Sequence, residues 1–150
     1  MPGLIIYNVC VSWLIYAILS AVFAALVAIL AKIGITGVNS NLATAIRTVV
    51  ILLFAWGIVF AQGTFKDLGS ISRYSMIFLV LSGIATGISW LFYFRALQLG
   101  NASQVAPIDK LSLVFTIILA AIFLKEKLSF QVALGAILMS LGAILITLAK

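Results

Sequence analysis

Asp109 is the acidic residue of this sequence that falls within a long apolar stretch, since Asp67 and Glu126 lie in or beside polar segments. An ionisable group at membrane depth is costly and is usually functional or paired. Asp109 could therefore bind a cation or titrate, but it lies near an expected helix start, where the helix dipole alone favours a carboxylate. Lys110 points about 100° away on a helix, so we interpret it as a separate anchor that extends to the lipid head groups.

Arg47, Trp90 and Tyr93 are further candidates for binding a small molecule. A guanidinium inside an apolar stretch could bind an anionic group, and it could equally extend to the head groups. Aromatic walls suit metabolite pockets, although simple packing would account for Trp90 and Tyr93 equally well. Arg95 lies on the opposite side of its expected helix from the polar residues, which indicates a head-group anchor.

Polar and small residues recur on one face of three expected helices. In lipid, such residues mark the side of a helix that faces protein. They either line a cavity or pack helices together, and the carboxylate in one stripe favours a cavity. The stripes are Ser82, Thr86, Ser89, Tyr93 and Ala96; Asp109, Ser112, Thr116 and Ala120; and Ser12, Tyr16 and Ser20. The predicted substrate-binding or coupling residues are Asp109, Arg47, Trp90, Tyr93, Ser89, Thr86, Ser112, Thr116 and Tyr16.

Two glycine patterns predict close helix contacts. Gly83 and Gly87 form a GxxxG pair, which lets two helix backbones approach. Near the C-terminus, a ridge of small and flexible residues forms a dimer interface if its partner is a second copy, and is internal if its partner is a neighbouring helix. This ridge consists of Gln131, Gly135, Met139 and Gly142.

Five apolar stretches must position these residues, at roughly 12–31, 42–62, 76–97, 105–124 and 129–149. Each is long enough to cross the ~30 Å core of a bilayer as a helix. Hydrophobic residues make up 65% of the 150 positions and charged residues 8%, which is far from a soluble composition. The sequence predicts an all-α integral membrane protein with five transmembrane helices. Residues 12–150 form its domain, and residues 1–11 are an interfacial lead-in or an extension.

The composition also excludes several classes of function. The sequence has no histidine and one cysteine, Cys10, which argues against zinc binding, an internal disulfide and hydrolytic catalysis. The basic residues are scattered singly and fit lipid head groups better than a nucleic acid. We therefore expect a protein that is not an enzyme, with no cofactor, no metal and no nucleic-acid partner.

Helix ends are indicated by caps and breakers. Helix one is expected from Ser12 to Lys32, with Lys32 extending to the interface, and Asn41 is expected to cap helix two. Gly100 is expected to end helix three in the left-handed conformation. Pro107 falls in the first turn of helix four, or kinks it if that helix begins near Asn101. Lys125 to Lys127 are expected to end helix four, and Ser129 to cap helix five.

The ordered combination of these features resembles the EamA-type repeat of the drug/metabolite transporter superfamily over residues 12–149. The resemblance includes the AKIG turn at 31–34 and the position of Arg47. It departs in having one repeat and in Lys125, where a glycine is common. The matching positions in the second half are Tyr93, Ala96, Leu97, Ala102, Pro107, Glu126 and Gly135.

The resemblance implies a five-helix unit that corresponds to half of a ten-helix transporter. It implies a secondary transporter or exporter of a small metabolite in the cell inner membrane, working by alternating access. A chain with one repeat can supply the second only by association, so we expect a homodimer embedded in membrane lipids.

The alternative hypothesis is a non-transporting membrane scaffold or regulatory subunit of a larger complex. The nearly even distribution of basic residues between the two sides of the membrane leaves both a parallel dimer and an antiparallel dimer open.

Overall fold

The computed structural model describes the backbone of residues 2–148 and the side chains of residues 13–148, and within these residues the chain is helical and has no β-strand. Five helical spans are long and apolar enough to cross a membrane, as the sequence predicts. The helices are α1 (Pro2–Gly34), α2 (Ser40–Gln62), α3 (Arg73–Leu99), α4 (Ala102–Asp109), α5 (Ser112–Leu119) and α6 (Phe130–Leu148). A short 3₁₀ helix, Thr64–Ser70, follows α2, and a π-helical turn, Ala120–Leu124, follows α5.

The helix ends agree only in part with the sequence prediction. α1 begins at Pro2 and not at Ser12, so the expected lead-in is helical, and its side chains lie outside the described residues. Asn39, and not Asn41, caps α2, because its side chain accepts hydrogen bonds from the next turn. Ser129 caps α6 as predicted, accepting from the Val132 N–H at 3.3 Å.

Gly100 ends α3 in an extended conformation, with φ −122° and ψ 170°, and not in the left-handed region. Its lack of a side chain still matters, since an added Cβ would lie 3.1 Å from Cγ2 of Val105. Gly100 therefore favours the close approach of Val105 to the end of α3, and its own backbone angles do not need a glycine.

The fourth span begins at Ala102. This is close to Asn101, the start for which Pro107 was expected to kink the helix. Pro107 lies inside α4 and contributes no N–H to the helical ladder. Three residues later the ladder tightens, with Lys110 donating to Pro107 and Leu111 donating to Ile108 at 3.1 and 3.0 Å. These short-range bonds separate α4 from α5, and the fourth span consists of α4, α5 and the π-helical turn.

The packed core lies at one end of the helices, which we call the packed end. Here the end of α1, the start of α2, the end of α3 and the start of α4 meet. α3 contacts α1, α2 and α4, while α6 packs on α4. The core cluster is Ala31, Ile35, Phe94 and Leu97. Most other large apolar side chains of the described residues are exposed, as expected where lipid covers the helices.

Polar contacts reinforce the packed end. The Lys32 ammonium donates to the carbonyl oxygens of Leu97 and Gly100, both at 2.6 Å. Gln98 donates from Nε2 to the Val38 carbonyl at 2.8 Å. Lys32 thus satisfies free carbonyls at the end of α3, and its position at the membrane interface stays a prediction.

The glycine faces make no close contact within the chain. A Cβ added at Gly83, Gly87, Gly135 or Gly142 would meet no atom within 4 Å. α6 instead packs on α4 and buries Ala136 and Ala143. The predicted GxxxG contact is therefore not made between helices of one chain, and the C-terminal ridge is not tightly packed inside it.

Candidate functional site

A cavity of about 530 Å³ lies between α1, α2, α3 and the end of α4. We call it the central cavity. Its volume is in the range of metabolite pockets, and five of the predicted site residues line it: Arg47, Ser89, Trp90, Tyr93 and Asp109. The rest of the wall is formed by Ser20, Phe23, Ala24, Val27, Ile51, Phe94 and Lys110.

Two further cavities adjoin the central cavity at Tyr93 and Asp109, which line all three. One, of about 540 Å³, extends between α3, α4 and α6. The other, of about 520 Å³, lies between α1 and α4. Tyr93 and Asp109 are thus the two residues that line all three spaces.

Helix geometry places Arg47 and Asp109 at a similar depth. Each lies seven residues after the start of its helix, Ser40 and Ala102, which corresponds to about 10 Å along the axis. Both helices start at the packed end. The two charged groups therefore face one cavity well inside the membrane, although they are far apart in sequence.

The Arg47 guanidinium lies against two aromatic rings of α3. Its Cζ is 4.3 Å from the ring centre of Phe94 and 5.8 Å from that of Trp90. Rings at these distances attract a cation through their π faces. Its buried Nη1 has no hydrogen-bond partner within the described residues. Arg47 therefore lines a pocket, and the competing interpretation as a head-group anchor does not describe its position.

Asp109 is paired with its neighbour in sequence. The Lys110 ammonium lies 3.6 Å from Oδ2 of Asp109. The expectation that Lys110 points away assumed a continuous helix, and it is wrong because the helix is interrupted after Asp109. Lys110 consequently lines the central cavity together with Asp109.

Tyr93 stands between the charged groups of the cavity. It lines the central cavity together with Asp109 and Arg47, and its ring packs edge-on against Phe94 with centroids 6.0 Å apart. A phenol in this position can donate a hydrogen bond to an anionic group or accept one from a cationic group. Tyr93 is thus suited to contact either end of a polar ligand.

Four predicted site residues lie outside the three cavities: Thr86, Ser112, Thr116 and Tyr16. The Thr86 hydroxyl donates to the Ser82 carbonyl, and that of Thr116 to the Ser112 carbonyl, so both threonines are bonded within their own helices. Tyr16 is 72% exposed. The interruption at Lys110 also separates Asp109 from the face that carries Ser112 and Thr116.

The predicted site residues do not include Phe94 and Lys110, which line the central cavity, and the bonds of Lys32 to the end of α3 were not predicted. Phe94 could have been found, because it lies four residues after Trp90 and therefore on the same helix face. Lys110 and Lys32 could not, since their contacts depend on a helix interruption and on the approach of α1 to α3. Arg95, predicted to anchor at the head groups, is exposed and donates to Gln98 at 2.7 Å.

No group of three potential metal ligands comes together among the described residues. The polar groups of the central cavity are a guanidinium, an ammonium, a carboxylate, a phenol and hydroxyls. Such groups bind polar molecules by hydrogen bonds and charge.

The chain is similar to known proteins. The chain is 50% identical over 135 residues to a Sinorhizobium sp protein described as an "Uncharacterized transporter in cobO 3'region", covering 90% of this chain and 96% of that protein. It is 28% identical over 107 residues to an uncharacterized protein of Methanocaldococcus jannaschii, covering 65% of this chain and 78% of the relative. No solved structure matches the sequence. Residues 11–148 match the EamA-like transporter family, and the chain therefore belongs to that family.

Proposed function

We propose that this protein moves a small polar or amphipathic metabolite across the cell inner membrane by alternating access, as a homodimer. Family membership and a relative named as a transporter support a transporter role and point away from an enzyme. The observation that carries the finer proposal is the central cavity, which gathers Arg47, Tyr93 and Asp109 at membrane depth.

The asymmetry of the fold supports alternating access. At the packed end, Lys32 and Gln98 bond across helices over the core of Ile35, Phe94 and Leu97. No comparable buried cluster lies at the opposite end of the described residues. This asymmetry supports the proposal, because a rocking transporter would visit a state that is closed at one end, here the packed end.

The open glycine faces support association with a second copy. Gly83 and Gly87 on α3, and Gly135 and Gly142 on α6, leave room for another helix backbone. In lipid, close backbone packing of this kind is a main source of helix association. A second copy would complete the enclosure of the central cavity, which one chain walls on only part of its circumference.

Flux measurements on purified protein in liposomes test this proposal. The panel comprises amino acids, organic acids, polyamines, nucleotide sugars and quaternary cations, with protein-free liposomes as the blank. We expect saturable flux of at least one class in preparations verified as dimeric. A silent panel in such preparations would contradict transport, and copurification with a larger membrane complex would then favour the scaffold hypothesis.

A further inference from the structure

Arg47 carries a hydrogen-bonding requirement that its surroundings do not meet. Its Nη1 is buried and has no acceptor within residues 2–148. The rings of Phe94 and Trp90 stabilise the charge, but their carbon faces offer no strong acceptor for an N–H. An unpaired buried donor is costly, and Arg47 lines an open cavity, so a ligand acceptor that the guanidinium turned to meet would remove this cost.

The charges of the central cavity favour a ligand with one negative charge. Arg47 and Lys110 are cationic and Asp109 is anionic, so one positive charge is in excess. Asp109 is already paired with Lys110 at 3.6 Å, and Arg47 has no ion-pair partner within the described residues. A guanidinium forms paired hydrogen bonds with planar acidic groups.

The walls around Arg47 are apolar. Phe23 and Val27 of α1 and Ile51 of α2 face the aromatic residues of α3 across the cavity. Such walls bind a hydrocarbon or aromatic body and discriminate against a small, fully hydrated anion. The space of about 530 Å³ accommodates a body of this kind together with its acidic group.

We propose that the central cavity binds an amphipathic monoanion, with Arg47 holding its acidic group and the walls of α1 and α3 holding its apolar body. This inference rests on the proposed transport function and names the class of its substrate. The shared chemistry is an acidic group on an apolar body, whether it belongs to a soluble carboxylate or to the phosphodiester of an anionic lipid.

Four probes with one phenylpropyl body separate charge from shape: 3-phenylpropionate, 3-phenylpropylamine, 3-phenylpropanol and phenylalanine. Replacing Trp13 and Trp56 with phenylalanine leaves Trp90 as the single tryptophan, and its emission then reports on the central cavity. In phosphatidylcholine nanodiscs we expect 3-phenylpropionate to bind at least about tenfold more tightly than the amine or the alcohol. Equal or tighter binding of the amine would overturn the proposal.

Variants locate the binding group. Arg47→Gln is expected to weaken binding of 3-phenylpropionate by about tenfold or more, and Arg47→Lys to weaken it less while keeping the preference for the anion. The matched control is Arg95→Gln, since Arg95 is exposed and lines none of the three cavities around Tyr93. Unchanged affinity in both Arg47 variants would overturn the proposal, and the order of the four probes tests it even if Arg47→Gln does not fold.

Lipid composition distinguishes the two sources of the acidic group. If phosphatidylglycerol in the nanodisc competes with 3-phenylpropionate, the phosphodiester of a lipid occupies the site. If it does not compete, the site takes a soluble anion. Because binding is measured at equilibrium, tight binding without flux would contradict the transport proposal alone, and flux restricted to cations or neutral compounds would contradict this inference alone.

Discussion

Two charged side chains at similar depth, Arg47 and Asp109, are stabilised in different ways. Asp109 has a cation beside it at 3.6 Å, whereas Arg47 has aromatic rings and an unmet hydrogen bond. In a membrane interior both groups would be strongly unfavourable without such partners. Asp109 is therefore paired within the protein, and Arg47 is the group whose environment would change most on binding of the proposed ligand.

Replacement of Asp109 tests its predicted coupling role. We expect Asp109→Asn to lower flux about tenfold, equivalent to about 1.4 kcal/mol, and to remove its dependence on pH or on a driving cation. The measurement is liposome flux across a pH series and with different cations. Asp67→Asn is the control, because Asp67 lies in the 3₁₀ helix outside the cavity. Flux in Asp109→Asn with an unchanged pH and ion dependence would contradict the prediction.

Replacement of Lys32 tests the closure of the packed end. Lys32→Met keeps an aliphatic chain but removes the donor to the Leu97 and Gly100 carbonyls. A hydrogen bond from a charged group is worth about 1.5–3 kcal/mol, so we expect a thermal midpoint several degrees lower in detergent. Lys66→Met, at an exposed position of the 3₁₀ helix, should leave the midpoint unchanged. Equal midpoints for the two variants would show that these bonds contribute little.

At the scale of elements, the positions of the five spans could be predicted from composition. The division of the fourth span into α4, α5 and a π-helical turn could not. Twenty apolar residues between polar caps specify a spanning helix by length alone, and Asn39 and Ser129 indicate the starts of α2 and α6 by side-chain type. The interruption at Lys110 depends on how the helix relaxes three residues beyond Pro107. Sequence periodicity assumes a constant 100° per residue, so it misplaced Lys110, Ser112 and Thr116 together.

The same reasoning explains which site residues could be predicted. Ser89, Trp90 and Tyr93 of α3 line the central cavity as periodicity predicted, whereas Thr86 on the same helix does not, and a role in binding stays a prediction for all four. Arg47 was identifiable because a charge within an apolar span requires a special environment. The contact of Arg47 with Phe94 depends instead on the approach of α2 to α3, which one sequence does not specify.

The open face of α3 leads to a prediction about association. A Cβ added at Gly83 or Gly87 would meet no atom within 4 Å, so we expect Gly83→Leu and Gly87→Leu to preserve the fold of one chain. We expect the dimer to dissociate at least about tenfold more readily, since leucine keeps two backbones apart. The measurement is mass by light scattering in detergent over a dilution series.

Two controls accompany these glycine variants. Gly57→Leu on α2 also enters open space but is not part of a GxxxG pair, and Ser82→Ala changes polarity beside the pair. Both should associate as the parent does. Dimers of unchanged stability in both Gly83→Leu and Gly87→Leu would rule out an interface on this face of α3.

For the molecule as a whole, the distribution of basic residues bears on its orientation. The packed end carries Lys32 and Arg95. The opposite end carries Lys66, Arg73, Lys125 and Lys127. Orientation follows the excess of basic residues at the span ends. Lys150, which follows the last span in the sequence, counts with the packed end, so four against three is a small excess, and an antiparallel dimer would need both orientations in one membrane.

Cysteine labelling tests whether both orientations occur. In a Cys10→Ser background we place single cysteines at Thr64, beyond α2, and at Thr36, in the turn before it, and treat intact cells with a membrane-impermeant reagent. Thr36 is preferable to Gly37, whose φ of +74° disfavours any side chain. We expect both sites to be labelled in an antiparallel assembly. Exclusive labelling of one site would instead establish a single orientation.

The bonds of Lys32 also constrain how the protein is made. Its acceptors lie 65 and 68 residues later in the chain. At about 5–20 residues per second, roughly 3–14 seconds pass between synthesis of Lys32 and synthesis of the carbonyls that receive it. During that interval the Lys32 ammonium at the end of the first span has neither of these two acceptors. The two bonds of Lys32 at the packed end therefore form only after the third span has been synthesised.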